Sequence, residues 1–551
     1  MMMILYLCMI GALFISLLCI PQLMAASDRL GLIDRPEERR VHVRSTPRSG
    51  GIGIALGALV PLLFLLPDLS RPVYAYILGA LIIIGFGVWD DRKNLDYRLK
   101  VLGQLLAIIV FVGAGYTIDR LPFLSAESAL SWVSIPVTGL FMLAVTNAFN
   151  LHDGLDGLAA GSAIMSLGAI AIIGFSPDGL TVSTLLAATV IGAAFGFLRY
   201  NTHPAVIFMG DAGSQFLGFT IAALAVLLCR QDVQLSPSCL LMLIGLPALD
   251  TATVMFQRLK AGRSPFSPDK NHIHHKLLAI GFRHNESVAI IYGIQAIFIS
   301  GALFLQSASD WLVIAVYLTI SVGCFAGYHV LQASGWRPHG ENRHGKNRSA
   351  QNVSNQAHRD TSRQSRLTSV LNFARLGAAL AAVFYILSGV ALVPVAKDLC
   401  IASLAIACLA LIAVSLKSSL MEQVGRIAAY IAATIVCYSL TYTQTSSEFW
   451  WLSLTACLFG LAFVISFTGW LLRDGGFQFN NLDFLIGIAL LGIFLFPMHG
   501  DTETTFRNFA LRLVPLLYCI EILLNAKSLA RSSIWIGSIA SLLLIGMKGV
   551  I

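Results

Sequence analysis

The chain has 551 residues, of which 56% are hydrophobic and only 12% are charged, and its mean hydropathy is +0.76. Soluble globular proteins carry roughly twice that charged fraction, so a water-soluble fold is excluded for most of the chain. The formal net charge of +8 does not indicate a nucleic-acid partner. Its Lys and Arg residues lie mostly in short loops between apolar runs, where such residues orient membrane spans.

The apolar runs are long enough to cross a bilayer as helices, for which about 20 residues are needed. Lipid offers the backbone no hydrogen-bond partner, so the sequence predicts an all-α, polytopic transmembrane helical bundle. Eleven candidate spans lie at about 3–24, 50–67, 73–89, 99–116, 132–149, 158–175, 181–198, 214–229, 237–256, 287–305 and 311–333. Seven more lie at about 371–394, 399–416, 427–442, 449–472, 483–498, 510–525 and 532–548.

The charged loops predict the orientation of these spans. The loop 34–48 holds five arginines, which places it in the cytoplasm by the positive-inside rule. Alternate counting then puts the loops 90–98, 150–157, 199–213 and 257–286 on the same face. No Lys or Arg precedes Arg29, so we expect the first span to be retained and not cleaved as a signal peptide. The ten cysteines show no CxxC or zinc-type spacing, which predicts packing roles.

A polar segment at 336–369, rich in Asn, Ser, Gln, Arg and His, cannot bury a core and is predicted to be a flexible cytoplasmic linker. It divides the chain into a membrane unit at 1–335 and a second membrane unit at 370–551. The polar clusters that suggest chemistry all lie in the first unit. In the second, Glu521 lies within an apolar run, where it is either a functional acid or an ion-paired residue.

Adjacent carboxylates, Asp90 and Asp91, directly follow the third predicted span. Such a pair repels unless a divalent cation or a shared proton relieves it. The pair therefore indicates a metal site, and a solvated helix end is an equal alternative. Lys100 follows within reach, where it would neutralise an acid or contact a phosphate.

A dense polar string closes the fifth span and reads Asn147-Ala-Phe-Asn150-Leu-His-Asp153-Gly154-Leu-Asp156-Gly157. On a helix, Asn147, Asn150 and Asp153 would share one face. The glycines would let backbone approach a ligand closely. We interpret this string as a ligand site in preference to an interfacial loop with capping residues.

Another string, Gly210-Asp211-Ala-Gly213-Ser214, opens the eighth span. Taken alone, it favours an N-cap role for Asp211. Beside a divalent cation, the same carboxylate would be an oxygen ligand.

The loop 258–276 contains three histidines within four consecutive residues, namely His272, His274 and His275. No Cys or further His stands at zinc-finger spacing from them. The basic residues of this loop indicate an anion site for phosphate groups; they are Arg258, Lys260, Arg263, Lys270 and Lys276.

Read in order over about residues 1–335, these strings resemble the polyprenyl-phosphate N-acetylhexosamine-1-phosphate transferases of glycosyltransferase family 4, in their WecA-like branch. The resemblance includes one further opening string in two parts, Asp34-Arg-Pro-Glu-Glu-Arg-Arg-Val-His42 and Thr46-Pro47-Arg48-Ser-Gly50-Gly51. One such string would be weak, whereas five in order on one predicted face are specific. The unit at 370–551 has no counterpart in the family pattern, and roles in dimerisation, recruitment of a further enzyme or lipid handling stay open.

The resemblance implies that a lipid-phosphate oxygen attacks the β-phosphate of a UDP-sugar and that UMP leaves. It implies Mg²⁺, with Mn²⁺ as the alternative, held by Asp211 with Asp90 and Asp91 beside it. Asp90 is either a base or a support for the metal. The other implied site residues are Lys100, Asn147, Asn150, Asp153 and Asp156 on the phosphate and nucleotide side, Arg48, Gly50 and Gly51 at the substrate, and His272, His274, His275, Arg263 and Lys270 at the sugar or pyrophosphate.

The implied partners are a UDP-N-acetylhexosamine (UDP-GlcNAc first), undecaprenyl phosphate, the lipid bilayer and a second copy in a homodimer. The implied location is a bacterial inner membrane, with the site on the cytoplasmic face, where the product initiates a cell-surface polysaccharide. The alternatives are UDP-N-acetylfucosamine or UDP-N-acetylquinovosamine as donor, a lipid transporter, and an inactive scaffold. A transporter would place charges near the bilayer midplane, whereas here they cluster at one face.

Overall fold

The computed structural model describes most of the first unit and part of the second. The described residues are 2–34, 45–65, 70–120, 122, 131–175, 181–231, 234–264 and 271–334, followed by 400, 403, 407–408, 428–437, 516, 520 and 529–548. The described residues up to 334 belong to one compact unit. The predicted linker at 336–369 and Glu521 lie outside the described residues, and the domain boundaries stay predictions.

Helices make up nearly all of the described chain. In order they are α1 (Met2–Leu30), α2 (Gly50–Leu65), α3 (Arg71–Lys93), α4 (Tyr97–Gly113), α5 (Ser131–His152), α6 (Leu158–Ile173), α7 (Val182–Asn201), α8 (Gly210–Gln231), α9 (Cys239–Leu243), α10 (Gly245–Lys260), α11 (Ile273–Ile280), α12 (His284–Phe304), α13 (Asp310–Ala333) and α14 (Leu529–Lys548). Between α1 and α2, strands β1 (Ile33–Asp34) and β2 (Thr46–Pro47) pair antiparallel.

Seven of the described helices are long and apolar enough to cross a membrane. They are α1, α3, α5, α7, α8, α12 and α13, and the shorter apolar helices α2 and α6 coincide with further predicted spans. The predicted all-α membrane bundle is therefore confirmed, and the chain is a multi-pass membrane protein. No disulfide joins the cysteines within the described residues.

The predicted span 237–256 is wrong as one helix, because it breaks at Ile244 into α9 and α10. Pro247 explains the break, since its ring would clash with the carbonyl of Leu243 in a continuous helix. Side chains from other helices bond the backbone groups at the break. Gln295 Oε1 accepts from the Leu246 N–H at 2.9 Å, Ser166 Oγ donates to the Leu243 carbonyl at 2.7 Å, and the Tyr317 hydroxyl donates to the Gly245 carbonyl at 3.3 Å.

Helix α8 is the core of the bundle and is buried along its whole apolar stretch. It packs against α2, α3, α5 and α6. Close packing depends on small residues: a Cβ at Gly87 of α3 would overlap the backbone of Ala212. The Tyr76 hydroxyl also lies 3.0 Å from Thr220 Oγ1, which satisfies both groups inside the bundle. This packing fixes the first turn of α8, where the polar cluster begins.

Candidate active site

The N-terminus of α8 is capped by a carboxylate from another helix. Gly210 adopts φ +70°, and the N–H groups of Asp211 and Ala212 donate to Asp91 Oδ1 at 2.8 Å and Oδ2 at 3.0 Å. Such a carboxylate bonds orphan donors and lies at the positive end of the helix dipole. The N-cap alternative for Asp211 is therefore wrong, because Asp211 lies in the first turn and Asp91 is the cap.

Asp211 is held from both sides by the neighbouring helices. Lys100 Nζ donates to Asp211 Oδ2 at 2.7 Å and also forms an ion pair with Asp90 Oδ2. Asn150 Nδ2 donates to Asp211 Oδ1 at 3.0 Å. Asp90 is only 2% exposed, and its other oxygen accepts from the Leu95 N–H at 2.7 Å. Lys100 therefore neutralises charge on both acids, and Asp90 is the more deeply buried of the two.

The side-chain amide of Asn147 belongs to a hydrogen-bond network with the amides of Gln104 and Gln215. Its Nδ2 donates to Gln104 Oε1 at 2.7 Å, and Gln104 Nε2 donates to Gln215 Oε1 at 3.0 Å. The expectation that Asp153 shares a helical face with Asn147 and Asn150 is wrong, because α5 ends at His152. Asp153 instead begins a loop that continues to Gly157, whose φ is +80°.

The two glycines after Arg48 make backbone contacts. The Gly50 and Gly51 N–H groups donate to the carbonyls of Phe208 and Met209 at 3.0 and 2.8 Å. A Cβ at Gly51 would overlap the backbone of Gly213. The pair thus joins the start of α2 to the start of α8, and its predicted contact with substrate stays a prediction.

These elements surround a pocket of about 230 Å³. Its charged lining consists of five carboxylates and one guanidinium, namely Asp34, Asp91, Asp153, Asp156, Asp211 and Arg48. Arg48 Nη2 pairs with Asp34 Oδ1 at 2.8 Å, so negative charge remains in excess among the lining residues. Burial first, and then three neighbouring carboxylates, raise the pKa of Asp153 to about 7.

The donor set of this pocket fits a hard divalent cation. Carboxylate oxygens are the ligands that Mg²⁺ prefers, and the described lining holds no Cys or His that would favour zinc. Asp211, Asp91 and Asp153 line the pocket and are candidate ligands for such an ion. Asp90 does not line the pocket in the described structure.

Asp156 is instead bound by the protein itself. His203 Nδ1 lies 2.7 Å and the Ala205 N–H 3.1 Å from Asp156 Oδ2. The His284 ring stacks on His203 with centroids 4.0 Å apart, and its Nε2 lies 4.0 Å from the same oxygen. Burial opposes ionisation, yet the hydrogen bonds from His203 and Ala205 hold the pKa of Asp156 below its ordinary value. The three side chains place ligand atoms within 4.8 Å of one another, a set closer to zinc chemistry than to Mg²⁺.

The predicted histidines lie behind the pocket wall and not in its lining. His272 Nδ1 is 2.9 Å from Asp250 Oδ2. A Cβ at Gly154, which lines the pocket, would overlap the His274 ring. Burial, and then the neighbouring His275, lower the pKa of His274 to about 3, so this ring is neutral. Arg263 is exposed, and Lys270 lies outside the described residues.

Comparisons with known proteins now decide the family. The model of glycosyl transferase family 4 matches residues 73–229. A probable undecaprenyl-phosphate N-acetylglucosaminyl 1-phosphate transferase of Bacillus subtilis is 38% identical over 306 residues, which are 55% of this chain and 85% of the relative. This chain belongs to glycosyl transferase family 4.

Other members of family 4 match a similar share of the chain. A decaprenyl-phosphate N-acetylglucosaminephosphotransferase of Mycolicibacterium smegmatis is 35% identical over 328 residues, 53% of this chain and 81% of the relative. An undecaprenyl-phosphate alpha-N-acetylglucosaminyl 1-phosphate transferase of Escherichia coli K12 is 29% identical over 304 residues, 53% and 82%. The predicted family resemblance is confirmed, and these relatives leave almost half of the chain unmatched.

The structure also brings together residues that the sequence did not predict for a site. The matched region 73–229 contains every predicted acid of the pocket, but it ends before Asp250 and before the predicted histidines His272, His274 and His275. Asp250, His203 and His284 were not predicted. A signal existed for Asp250, since an acid inside an apolar span is functional by default. His203 is a single histidine in a loop and His284 is the first residue of α12, and only the fold brings them to Asp156.

Proposed function

We propose that this family 4 protein transfers N-acetylhexosamine-1-phosphate, first of all GlcNAc-1-phosphate, from a UDP-sugar to undecaprenyl phosphate and releases UMP. The observation that carries the proposal is the pocket with five carboxylates, one guanidinium and the capped start of α8. The relatives support it, since they are named as transferases for undecaprenyl or decaprenyl phosphate. We place the pocket at the cytoplasmic face of a bacterial inner membrane, because Asp34 and Arg48, at the two ends of the segment predicted to be cytoplasmic, line it.

In this proposal Asp211, Asp91 and Asp153 hold Mg²⁺. When bound, the ion would neutralise charge on the pyrophosphate and on the departing UMP. The chain's own residues prepare that site. Asp91 fixes the first turn of α8, while Lys100 and Asn150 hold the two oxygens of Asp211 in place. Positioned groups of this kind need no reorganisation during the reaction.

The reaction needs little proton transfer from the protein. An oxygen of the lipid phosphate forms a bond to the β-phosphorus, and the bond from that phosphorus to the bridging oxygen breaks, so UMP leaves with the electron pair. A phosphate monoester has its second pKa near about 6 and is largely ionised at neutral pH. We therefore assign Asp90 to the support of Lys100, with which it forms a partly buried ion pair, in preference to the role of a base.

A second class of function, a lipid transporter, receives less support. Five described acids line one pocket at the ends of helices and strands, whereas transporters use broken helices near the midplane. The break between α9 and α10 is lined by neutral groups, namely Gln295, Ser166 and Tyr317. An enzyme that works on phosphates at the membrane surface fits these positions better.

The test uses the full-length protein in nanodiscs with undecaprenyl phosphate and labelled UDP-GlcNAc, UDP-N-acetylfucosamine and UDP-N-acetylquinovosamine. We expect lipid-linked product and an equal amount of UMP, highest with UDP-GlcNAc, restored by Mg²⁺ or Mn²⁺ after EDTA. Preference for another of these donors would change the sugar and keep the reaction. A protein that melts cooperatively but forms no product with any donor would disprove the proposal.

A further inference from the structure

We propose that Asp250 is a positioning residue of the transfer reaction, which holds His272 in a single tautomer and fixes the start of α11 behind the pocket. This inference rests on the proposed function. Asp250 lies on α10, outside the region that the family model matches. The acid was not among the predicted site residues, and its contacts argue for the role.

Both oxygens of Asp250 bind the histidine segment. Oδ2 lies 2.9 Å from His272 Nδ1, and Oδ1 accepts from the Ile273 N–H at 2.9 Å. Asp250 is 6% exposed and His272 is 5% exposed, so water competes little for these bonds. His272 is the N-cap residue of α11 but caps it with no side-chain bond. Asp250 supplies the missing cap from another helix.

The same contact selects the tautomer of His272. A carboxylate accepts only, so the ring nitrogen facing it, Nδ1, carries the proton. In the neutral ring the other nitrogen, Nε2, is then an acceptor. Hydrogen-bonded carboxylates fix histidine tautomers in this way in metal and catalytic sites. The other titratable side chains near this pair are His152 of α5 and His274 of α11, and both rings are buried.

The position of α11 then reaches the pocket through His274. The rings of His272 and His274 are nearly parallel, with an angle of 7° and centroids 5.8 Å apart. The His274 ring occupies the space beside Gly154 that a Cβ would need, and Gly154 lines the pocket next to Asp153. A shift at the start of α11 would therefore move the pocket wall. Asp250 acts through the histidines and has no described contact with the pocket.

A plain helix cap is the competing role, and Asp250→Asn separates the two. Asparagine keeps an oxygen acceptor for the Ile273 N–H, so the cap survives. Its amide N–H₂ would face His272 Nδ1 and would require the opposite tautomer. We expect kcat to fall by about 10–100-fold, the usual effect of losing a residue that orients a site histidine, with little change in melting temperature.

The decisive measurement is a double-mutant cycle with His272→Ala in the nanodisc assay. If Asp250 acts through His272, the double variant loses no more rate than His272→Ala alone. Independent losses that multiply, or a wild-type rate in Asp250→Asn, would overturn the proposal. If Asp250→Asn does not fold, His272→Gln tests the same contact, since its amide can still donate to Asp250. A full rate in that variant would equally overturn it.

Two controls distinguish failure of the positioning role from failure of the proposed function. Asp310→Asn changes a similar carboxylate, which accepts from the Ser238 N–H at 3.2 Å and from Ser236 Oγ at 2.5 Å, away from the pocket. Its rate should equal that of the wild type. The wild-type protein in the same membranes tests the proposed function itself. Product from the wild type with no effect of Asp250→Asn refutes only the positioning role.

Discussion

The two polar regions of this protein use the same capping device but differ in charge. Asp91 of α3 caps α8, and Asp250 of α10 caps α11, each from a different helix. Around Asp91, further carboxylates gather in a pocket with one guanidinium, Arg48. Around Asp250, each nearby group is an imidazole or a neutral partner. The cap alone therefore does not distinguish the two regions, whereas the excess of negative charge does.

The string 153–157 contains one acid of each kind. Asp153 faces other carboxylates, and its pKa is raised to about 7. Asp156 is bonded by His203 and the Ala205 N–H, and its pKa is lowered. The pKa values of these two acids, which are three residues apart, are thus shifted in opposite directions. The comparison predicts that their removal will have different effects.

The largest effect is expected for Asp211→Asn. This change removes negative charge at the point where Lys100 and Asn150 converge. We expect the rate of lipid-linked product formation to fall by at least about 10²–10³-fold, as for other preorganised charge-stabilising groups. The rate is measured in nanodiscs at saturating Mg²⁺. A rate near the wild-type value would show that the Asp211 carboxylate has no role in the reaction.

The next effect concerns Asp153→Asn and depends on pH. Because the folded pKa of about 7 exceeds the ordinary value of 3.8, this carboxyl favours the folded state at low pH, and that contribution is lost as pH rises through 7. Without divalent cations, the melting temperature of the wild type should therefore fall between pH 5 and 8, and Asp153→Asn should fall less. Activity should drop strongly in the variant.

The control for this prediction is Asp119→Asn, an acid that is 55% exposed and pairs with Arg230 at 3.7 Å. It should follow the wild-type melting curve and keep the wild-type rate. Mg²⁺ at pH 8 should stabilise the wild type more than Asp153→Asn. Equal stabilisation of both would mean that Asp153 does not face the ion.

A smaller catalytic effect is expected for Asp156→Ala. Its removal leaves the Ala205 N–H and the His203 ring without their acceptor, which should lower the free energy of unfolding by about 1–3 kcal/mol. The rate should fall less than in Asp211→Asn. Denaturation in mixed micelles measures the first quantity, and the nanodisc assay measures the second. Loss of rate equal to that of Asp211→Asn would place Asp156 with the reactive acids.

The smallest effect is expected from truncation after Gly335. Both polar regions lie before this residue, and the relatives in family 4 match only about half of the chain. The truncated protein should keep transfer activity in nanodiscs. Complete loss in a variant that still melts cooperatively would make the C-terminal unit part of the mechanism.

Much of the fold and of the acid site was readable in the sequence. Apolar length and the positions of charged residues predicted the helices, because these features are local. The order of the strings predicted that Asp91, Asn150 and Asp211 belong together. The break at Ile244 was not predicted, because Pro247, which breaks the helix, lies within an apolar run that is long enough for a continuous span.

Pairings over long sequence distances could not be predicted. His203 reaches Asp156 across 47 positions, and His272 reaches Asp250 across 22 positions. Nothing in the local composition of either partner specifies the other. The capping of α8 by Asp91 could not be predicted for a related reason, because a cap supplied by another helix leaves no signal in the sequence next to the capped helix.

The break between α9 and α10 has a consequence for the biogenesis of the protein. The backbone groups of Leu243, Gly245 and Leu246 are bonded by Ser166 of α6, Gln295 of α12 and Tyr317 of α13. Two of these three partners are synthesised after the break itself. An unbonded backbone group in lipid costs several kcal/mol, so we expect that this segment does not adopt its final position in the membrane as soon as it leaves the ribosome. The backbone bonding of the break between α9 and α10 is therefore complete only after α12 and α13 have been synthesised.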